Sequence, residues 1–154
     1  MKPAPFAWHG PESVGEAIAV LAEYGPEAKV LAGGQSLIPL LAMRLAAPAH
    51  LVDINRIVAL DDVTVTAAGV TVGALARHTR VEKDPAAAIA QPLLPQALRL
   101  VAHPTIRNRG TTVGSLAHAD PAGEMTAVLA LCAWLFSSWY ELKSGSVIEA
   151  NPKV

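Results

Sequence analysis

The chain has 154 residues, of which 52% are hydrophobic and 16% are charged, and its formal net charge is −1. These values exclude a disordered chain, and so small a charge gives no general attraction for nucleic acid or for an anionic membrane. The single cysteine, Cys132, excludes an internal disulfide. The sequence shows no secretion leader, and its longest apolar stretch, about Met125–Phe136, is too short to span a bilayer. We therefore expect a cytoplasmic protein.

The first predicted element is a helix that ends at Tyr24. Ser13 and Glu16 have the spacing of a capping box, in which both side chains accept backbone N–H groups at the start of a helix. The apolar residues that follow recur at intervals of three and four, which is typical of a helix with one buried face. Gly25-Pro26 is expected to stop this helix.

Two short buried strands are predicted next, at Lys29–Ala32 and Leu51–Ile54, because both runs are largely apolar. Between them, Ser36 is expected to cap a helical turn whose residues Leu37–Leu45 pack inward. Asp53, at the end of the second strand, is expected to cap the turn that follows.

The middle of the chain predicts a hairpin and then a helix. Val63–Thr66 and Val70–Gly73 are rich in β-branched residues and flank a short turn sequence, which favours two antiparallel strands. Pro85–Leu100 is rich in alanine and leucine and therefore favours a helix, which Pro92 and Pro95 must break or kink.

The last predicted helix begins at Pro121 and runs to about Cys132, with Glu124 in its first turn. Residues 101–110 are expected to form a connector before it, and His78 is expected at the surface or between lobes. The order of elements indicates an α+β or mixed α/β protein.

Residues 134–154 differ in composition from the rest of the chain. Phe, Trp and Tyr are absent from Gly25 to Ala133, and then Trp134, Phe136, Trp139 and Tyr140 follow closely. We interpret this atypical tail as the result of a frameshift or recombination; an ordinary aromatic edge strand is the alternative.

Two small-residue segments carry the functional prediction. We call Ala32–Leu37 (AGGQSL) the first glycine segment and Arg109–Ser115 (RGTTVGS) the second. Small residues allow close approach of the backbone to a ligand, and free N–H groups favour an anion. Either segment alone also fits a plain turn, and neither the G-x-G-x-x-G nor the P-loop pattern occurs. Together they suggest a diphosphate that is bound from two sides.

Longer stretches around these segments resemble one family. Ala32–Ile57 (AGGQSLIPLLAMRLAAPAHLVDINRI) is similar to the first flavin-binding stretch of the FAD-carrying medium subunits of molybdenum hydroxylases, of the carbon monoxide dehydrogenase and xanthine dehydrogenase type. His103–Met125 (HPTIRNRGTTVGSLAHADPAGEM) is similar to the second stretch, and Val72–Thr79 (VGALARHT) lies between them as in the family. The resemblance covers roughly Phe6 to Leu131.

The resemblance implies an α+β, two-lobed FAD-binding domain of the PCMH type, like that of vanillyl-alcohol oxidase. The first lobe would comprise residues 1–56, and the second, incomplete lobe residues 57–133. Relatives continue beyond this length, so we expect a C-terminally truncated product. Many relatives carry two adjacent glycines where this chain has Val113-Gly114. The valine requires an ordinary backbone conformation at this position or a reshaped loop.

The resemblance also implies the residues that contact FAD. The first glycine segment would wrap the diphosphate, the second would meet the diphosphate and ribityl region, Ala117 would approach the flavin ring, and two acidic residues would lie near the ribose or adenosine. The implied set is Ala32, Gly33, Gly34, Gln35, Ser36, Leu37, Thr111, Thr112, Gly114, Ser115, Ala117, Asp120 and Glu124. No catalytic side chain and no metal ligand is assigned, although His103, His118, Asp120 and Glu124 would also suit a divalent metal.

The implied function is electron transfer. Electrons would pass from a large molybdopterin subunit through iron–sulfur clusters in a small subunit to FAD, and then to an external acceptor. Two alternatives stay open at this stage. The chain could bind a nucleotide diphosphate without redox chemistry, or it could be a flavin-free remnant that docks on its partner subunits.

Overall fold

A computed structural model describes residues 2–131, so the atypical tail lies outside the described residues. The strands β1 to β5 span Ala7–His9, Ala28–Leu31, His50–Asp53, Val63–Thr66 and Gly69–Val72. The α-helices α1 to α7 span Val14–Tyr24, Leu37–Ala42, His78–Lys83, Pro85–Ala90, Leu93–Leu100, Pro104–Arg107 and Thr112–His118. Residues 124–131 are helical as well. The predicted mixture of helices and strands is confirmed.

The first half of the chain builds a three-stranded parallel sheet in the order β1-β3-β2. Its central strand β3 is buried, with Leu51 and Val52 at most 1% exposed. Strand β2 forms an edge, so Val30 is 44% exposed, and the prediction of a fully buried strand is wrong at this residue. The three-residue strand β1 has no alternating pattern of its own and was not predicted.

Helix α1 confirms the predicted cap. The Ser13 side chain accepts the Glu16 N–H at 3.2 Å. The Glu16 carboxylate reaches back to the N–H of Glu12 at 2.9 Å, one residue earlier than a standard capping box requires. Both bonds are local in sequence, which explains why the pattern located this helix correctly.

Helix α2 departs from its prediction. It ends at Ala42, the Ser36 side chain makes no capping bond, and only Leu41 of its residues is buried. Ile38 is 46% exposed and Leu45 is 71% exposed, so the prediction that Leu37–Leu45 packs inward is wrong for most of the segment. A six-residue helix has fewer than two turns and presents only one narrow face to the sheet.

The hairpin β4–β5 is confirmed, with Val63 opposite Val72 and Thr66 opposite Gly69. The predicted helix over residues 85–100 is two helices, α4 and α5, which meet at Gln91-Pro92. Pro92 therefore breaks the helix as predicted. Pro95 lies in the first turn of α5, where a helix does not need the missing N–H.

Two predictions for the last third of the chain need correction. The expected connector contains the short helix α6. The helix expected from Pro121 begins instead at residue 124, because the Asp120 carboxylate accepts the Ala122 N–H at 2.9 Å and holds residues 120–123 in a turn. Glu124 does lie in the first turn of that helix, as predicted.

Two hydrophobic clusters hold these elements together, and they adjoin at Leu75 and Ala76. The cluster on the parallel sheet comprises Ala17, Ala28, Val52, Ile54, Ile57 and Leu75. The cluster among the later helices comprises Ala76, Val81, Leu94, Ala97, Leu98, Val101 and Met125. Of the helices formed by residues 2–131, none has the length and apolar character that crossing a bilayer requires.

Candidate functional site

The two glycine segments contact each other through their backbones. A Cβ atom added to Gly33 would lie 2.5 Å from the Arg109 carbonyl oxygen, 2.8 Å from the Gly110 Cα and 2.9 Å from the Thr111 nitrogen. All three atoms belong to backbone and cannot rotate away. Only glycine at position 33 therefore permits this approach.

A cavity of about 890 Å³ opens where the two segments meet. This volume lies within the range of small-molecule sites. The whole first segment lines it, together with Thr111, Gly114, Ser115 and Ala117 from the second stretch. Three residues of the sequence-predicted set are not among its lining: Thr112, Asp120 and Glu124.

The first glycine segment is an open loop with unused donors. Within residues 2–131, the backbone N–H groups of Gly33, Gly34, Gln35 and Ser36 donate to no protein acceptor. Gly34 adopts a φ of 71°, which favours glycine, and the Gln35 amide donates to the Gly33 carbonyl at 2.9 Å. Consecutive free N–H groups around a turn form a concave donor set for an anion.

The second glycine segment is the start of a helix rather than a loop. Thr111 precedes α7 and its hydroxyl accepts the Gly114 N–H at 3.2 Å. Val113 lies inside α7 and is not among the positive-φ residues in the described part of the chain, which is the ordinary conformation that its β-branched side chain requires. The sequence did not predict this helix because its first four residues, Thr112 to Ser115, are small or β-branched and have low helix propensity.

His78 lines the cavity and is 3% exposed, so the prediction of a surface position is wrong. The alternative, a position between lobes, stays a prediction. The His78 backbone N–H donates to the Gly110 carbonyl at 3.0 Å, and its Nδ1 lies 3.3 Å from the Thr112 hydroxyl. Burial lowers the pKa of His78, the positive Arg107 lowers this pKa further, and Glu124 opposes both effects. His78 is therefore held largely neutral at pH 7.

The cavity wall also carries charged or titratable residues that are not in the set implied by the resemblance: Lys29, which the sequence did not single out, and His118, which it suggested only as a metal ligand. Lys29 lies in the edge strand β2, and His118 lies at the end of α7. A lysine that lines the same cavity as the free N–H groups adds positive charge, which suits a phosphorylated ligand. The signal in the sequence that could have pointed to Lys29 is its charge at the start of an otherwise apolar predicted strand.

A metal site is not formed in the described part of the chain. No three His, Cys, Asp or Glu side chains among residues 2–131 lie close enough together to hold an ion.

The sequence matches one family over residues 4–134, described as the FAD binding domain in molybdopterin dehydrogenase. The chain belongs to this family. Its cofactor is therefore FAD, and its family is one of oxidoreductase FAD subunits. The match spans most of the chain and contains both glycine segments, as the resemblance of the two motifs implied.

Curated relatives agree with the family match. The chain is 45% identical over 129 residues to the 6-hydroxypseudooxynicotine dehydrogenase complex subunit alpha of Paenarthrobacter nicotinovorans, covering 84% of this chain and 44% of that protein. It is 42% identical over 128 residues to the carbon monoxide dehydrogenase medium chain of Hydrogenophaga pseudoflava, covering 83% and 45%. The chain thus spans less than half the length of these relatives.

Solved structures give the same result. Carbon monoxide dehydrogenase from Hydrogenophaga pseudoflava, in a form lacking the Mo-pyranopterin moiety, matches with a TM-score of 0.78 and 43% identity over 81% of this chain and 44% of that one. Quinoline 2-oxidoreductase from Pseudomonas putida 86 matches with a TM-score of 0.74 and 48% identity, covering 78% and 42%.

The chemistry of the site fits FAD. The diphosphate of FAD needs hydrogen-bond donors and close backbone approach, and the first glycine segment offers free N–H groups in a turn that only glycine allows. The mixture of apolar and polar residues around the cavity suits a ligand with an aromatic ring system and a polar chain.

Proposed function

We propose that this chain is the FAD-binding part of the medium subunit of a molybdenum hydroxylase-type dehydrogenase. In that role it receives electrons from iron–sulfur clusters of a small subunit, which are supplied by a large molybdopterin subunit. FAD, when bound, supplies the electron-transfer chemistry that passes them to an external acceptor. The side chains of this domain bind and orient the cofactor.

One observation carries the proposal: the two glycine segments, far apart in sequence, line a single cavity. We assign the FAD diphosphate to the junction at Gly33, where the first segment presents unused N–H donors. Thr111, Gly114, Ser115 and Ala117 would line the opposite side. Asp120 and Glu124, which lie outside the cavity lining, would be available only to parts of FAD that extend beyond it.

We further propose that the domain has two lobes, with residues 1–56 as the first and residues 57–133 as the second. The two separate hydrophobic clusters support this division. Ile57 and Leu75 belong by sequence to the second lobe but pack in the cluster of the first. The proposed lobes are therefore joined by packing as well as by the glycine contact.

Binding of FAD is tested by purifying the whole chain and comparing its flavin absorbance with its protein concentration. A yellow protein with about one FAD per chain is expected, and apoprotein should recover the spectrum when FAD is added. Colourless protein that takes up no added FAD would contradict the proposal. Gly15→Ala serves as a control for glycine substitutions and should bind FAD as the original chain does, because a Cβ at Gly15 contacts only the Ser13 hydroxyl, at 3.9 Å.

The proposed partners are tested separately. The relatives are a subunit of a dehydrogenase complex and a medium chain of a dehydrogenase, which supports large and small partner subunits. Genes for a molybdopterin subunit and an iron–sulfur subunit are expected beside the gene for this chain. Co-expressed, the three products should purify as one complex whose FAD is reduced by the substrate of the large subunit. Purification of the chain free of both subunits would count against this assignment.

A further inference from the structure

We infer that Asn55 and Arg77 act as positioning residues that hold the two glycine segments at the spacing FAD requires. This inference rests on the proposed function. Neither residue belongs to the set implied by the family resemblance, and both lie outside the lining of the main cavity. Their side chains nevertheless connect the two segments through one continuous series of hydrogen bonds.

The first half of the series runs from β3 to the first glycine segment. The Asp53 carboxylate accepts the backbone N–H of Asn55 at 3.0 Å and lies 2.6 Å from its side-chain nitrogen. The same nitrogen donates to the Ala32 carbonyl at 2.8 Å. Ala32 directly precedes Gly33, so Asn55 fixes the loop one residue from the glycine contact.

The second half runs from Asn55 to the second glycine segment. The Arg77 guanidinium donates to the Asn55 side-chain oxygen at 2.7 Å and, through its other terminal nitrogen, to the Arg109 carbonyl. That carbonyl is the atom that a Cβ on Gly33 would strike. Arg77 therefore holds one side of the junction, and Asn55 holds the other.

The geometry requires arginine in particular. The planar guanidinium presents two donors in a fixed fork, so one side chain can bind an amide oxygen and a backbone carbonyl at once. The backbone of the same segment is also paired, since Arg77 and Thr111 form a bridge with N–H bonds from His78 to Gly110 and from Thr112 to Ala76. The backbone around Arg77 is thus already paired with the second glycine segment, and the guanidinium adds a side-chain contact to the same segment.

The effect on FAD is one of preorganisation. If the two segments drift apart in the apoprotein, binding must first restore their spacing, and affinity falls by that cost. Arg77→Met removes both donors, and Arg77→Lys keeps the charge without the fork. We expect both variants to bind FAD about tenfold more weakly, because each loses hydrogen bonds to a charged group. If Arg77 acted only by attracting the diphosphate through its charge, Arg77→Lys would instead bind FAD as tightly as the original chain.

Arg80→Met is the matched control. Arg80 follows three residues later and also binds a backbone carbonyl and a carboxylate, both of Asp61 at 2.7 Å. It has no contact with either glycine segment in the part of the chain that the structure describes. Its variant should bind FAD as the original chain does. Equal weakening in Arg80→Met and Arg77→Met would overturn the inference.

Hydrogen exchange of the apoprotein tests, without FAD, whether Asn55 and Arg77 hold the two glycine segments together. Peptides that contain the protected amides of Ile38 and Thr112 should exchange faster in Arg77→Met than in Arg80→Met. In a double-mutant cycle, Asn55→Ala and Arg77→Met should weaken FAD binding by less than the product of their separate effects. Unchanged exchange in both peptides, or independent effects, would overturn the inference. Failure of the original chain to bind FAD would instead count against the proposed function.

Discussion

The two glycine segments face the same cavity but are built in different ways. The first is an open loop on a sheet edge, with free N–H groups and a backbone contact at Gly33 that admits no side chain. The second is the first turn of a helix, and its Thr111 hydroxyl already accepts a backbone N–H. In the proposed FAD site, the first segment would therefore offer its free donors directly to the ligand, whereas the second would be a helix start that the ligand approaches.

This difference predicts that substitution of Gly33 has the largest effect. In Gly33→Val, the Cβ meets the backbone of residues 109–111 and must separate the two segments. We expect FAD affinity to fall by at least about 100-fold, which corresponds to roughly 2.7 kcal/mol. Titration of the Gly33→Val apoprotein with FAD, beside the Gly15→Ala control, measures this loss of affinity. An affinity within threefold of that of the original chain would refute the backbone contact.

The second segment should respond through stability rather than through direct loss of binding. Thr111→Val keeps the shape of the buried side chain but loses the helix cap, which costs about 1 kcal/mol of unfolding free energy. Thr111→Ser retains the hydroxyl and should keep most of that stability. Urea unfolding of the apoprotein compares the two variants. If Thr111→Val were as stable as the original chain, the cap would contribute nothing.

Gln35 offers a finer test within the first segment. Its side-chain amide donates to the Gly33 carbonyl at 2.9 Å and so restrains the loop on one side only. Gln35→Leu should weaken FAD binding about threefold, because a single partly exposed hydrogen bond contributes little net free energy. The midpoint of urea unfolding should not move. A loss as large as that of Gly33→Val would mean that the Gln35 side chain, and not only its backbone N–H, contacts FAD.

The smallest expected effect is a pH dependence from His78 beneath the second segment. Its folded pKa is lowered, chiefly by burial and then by Arg107, while in the unfolded chain it titrates near about 6.5. The unfolded state therefore binds more protons below that pH, and stability should fall as pH decreases through about 6.5 and level off below the folded pKa. His78→Gln should flatten this part of the stability profile. An unchanged profile would show that another group is responsible.

The sequence predicted the structure correctly where interactions are local. The Ser13 cap, the hairpin and the break at Pro92 depend on residues within a few positions, and all three are found. It did not where structure comes from distant pairing: within residues 2–131, β1 pairs only with the distant β3, and the buried His78 contacts Gly110 and Thr112 of the second segment. The family motifs indicated both glycine segments, but the Asn55–Arg77 link required coordinates because its partners lie 22 positions apart.

The placement of β1 beside β3 bears on how the protein acquires its fold. His9 and His50, which meet across these strands with side-chain nitrogens 3.0 Å apart, are separated by 41 positions. During synthesis the first strand leaves the ribosome well before its partner exists, while α1 and the hairpin can form from adjacent residues. Closing so long a loop is slow compared with local steps, so the N-terminal strand should dock late in folding.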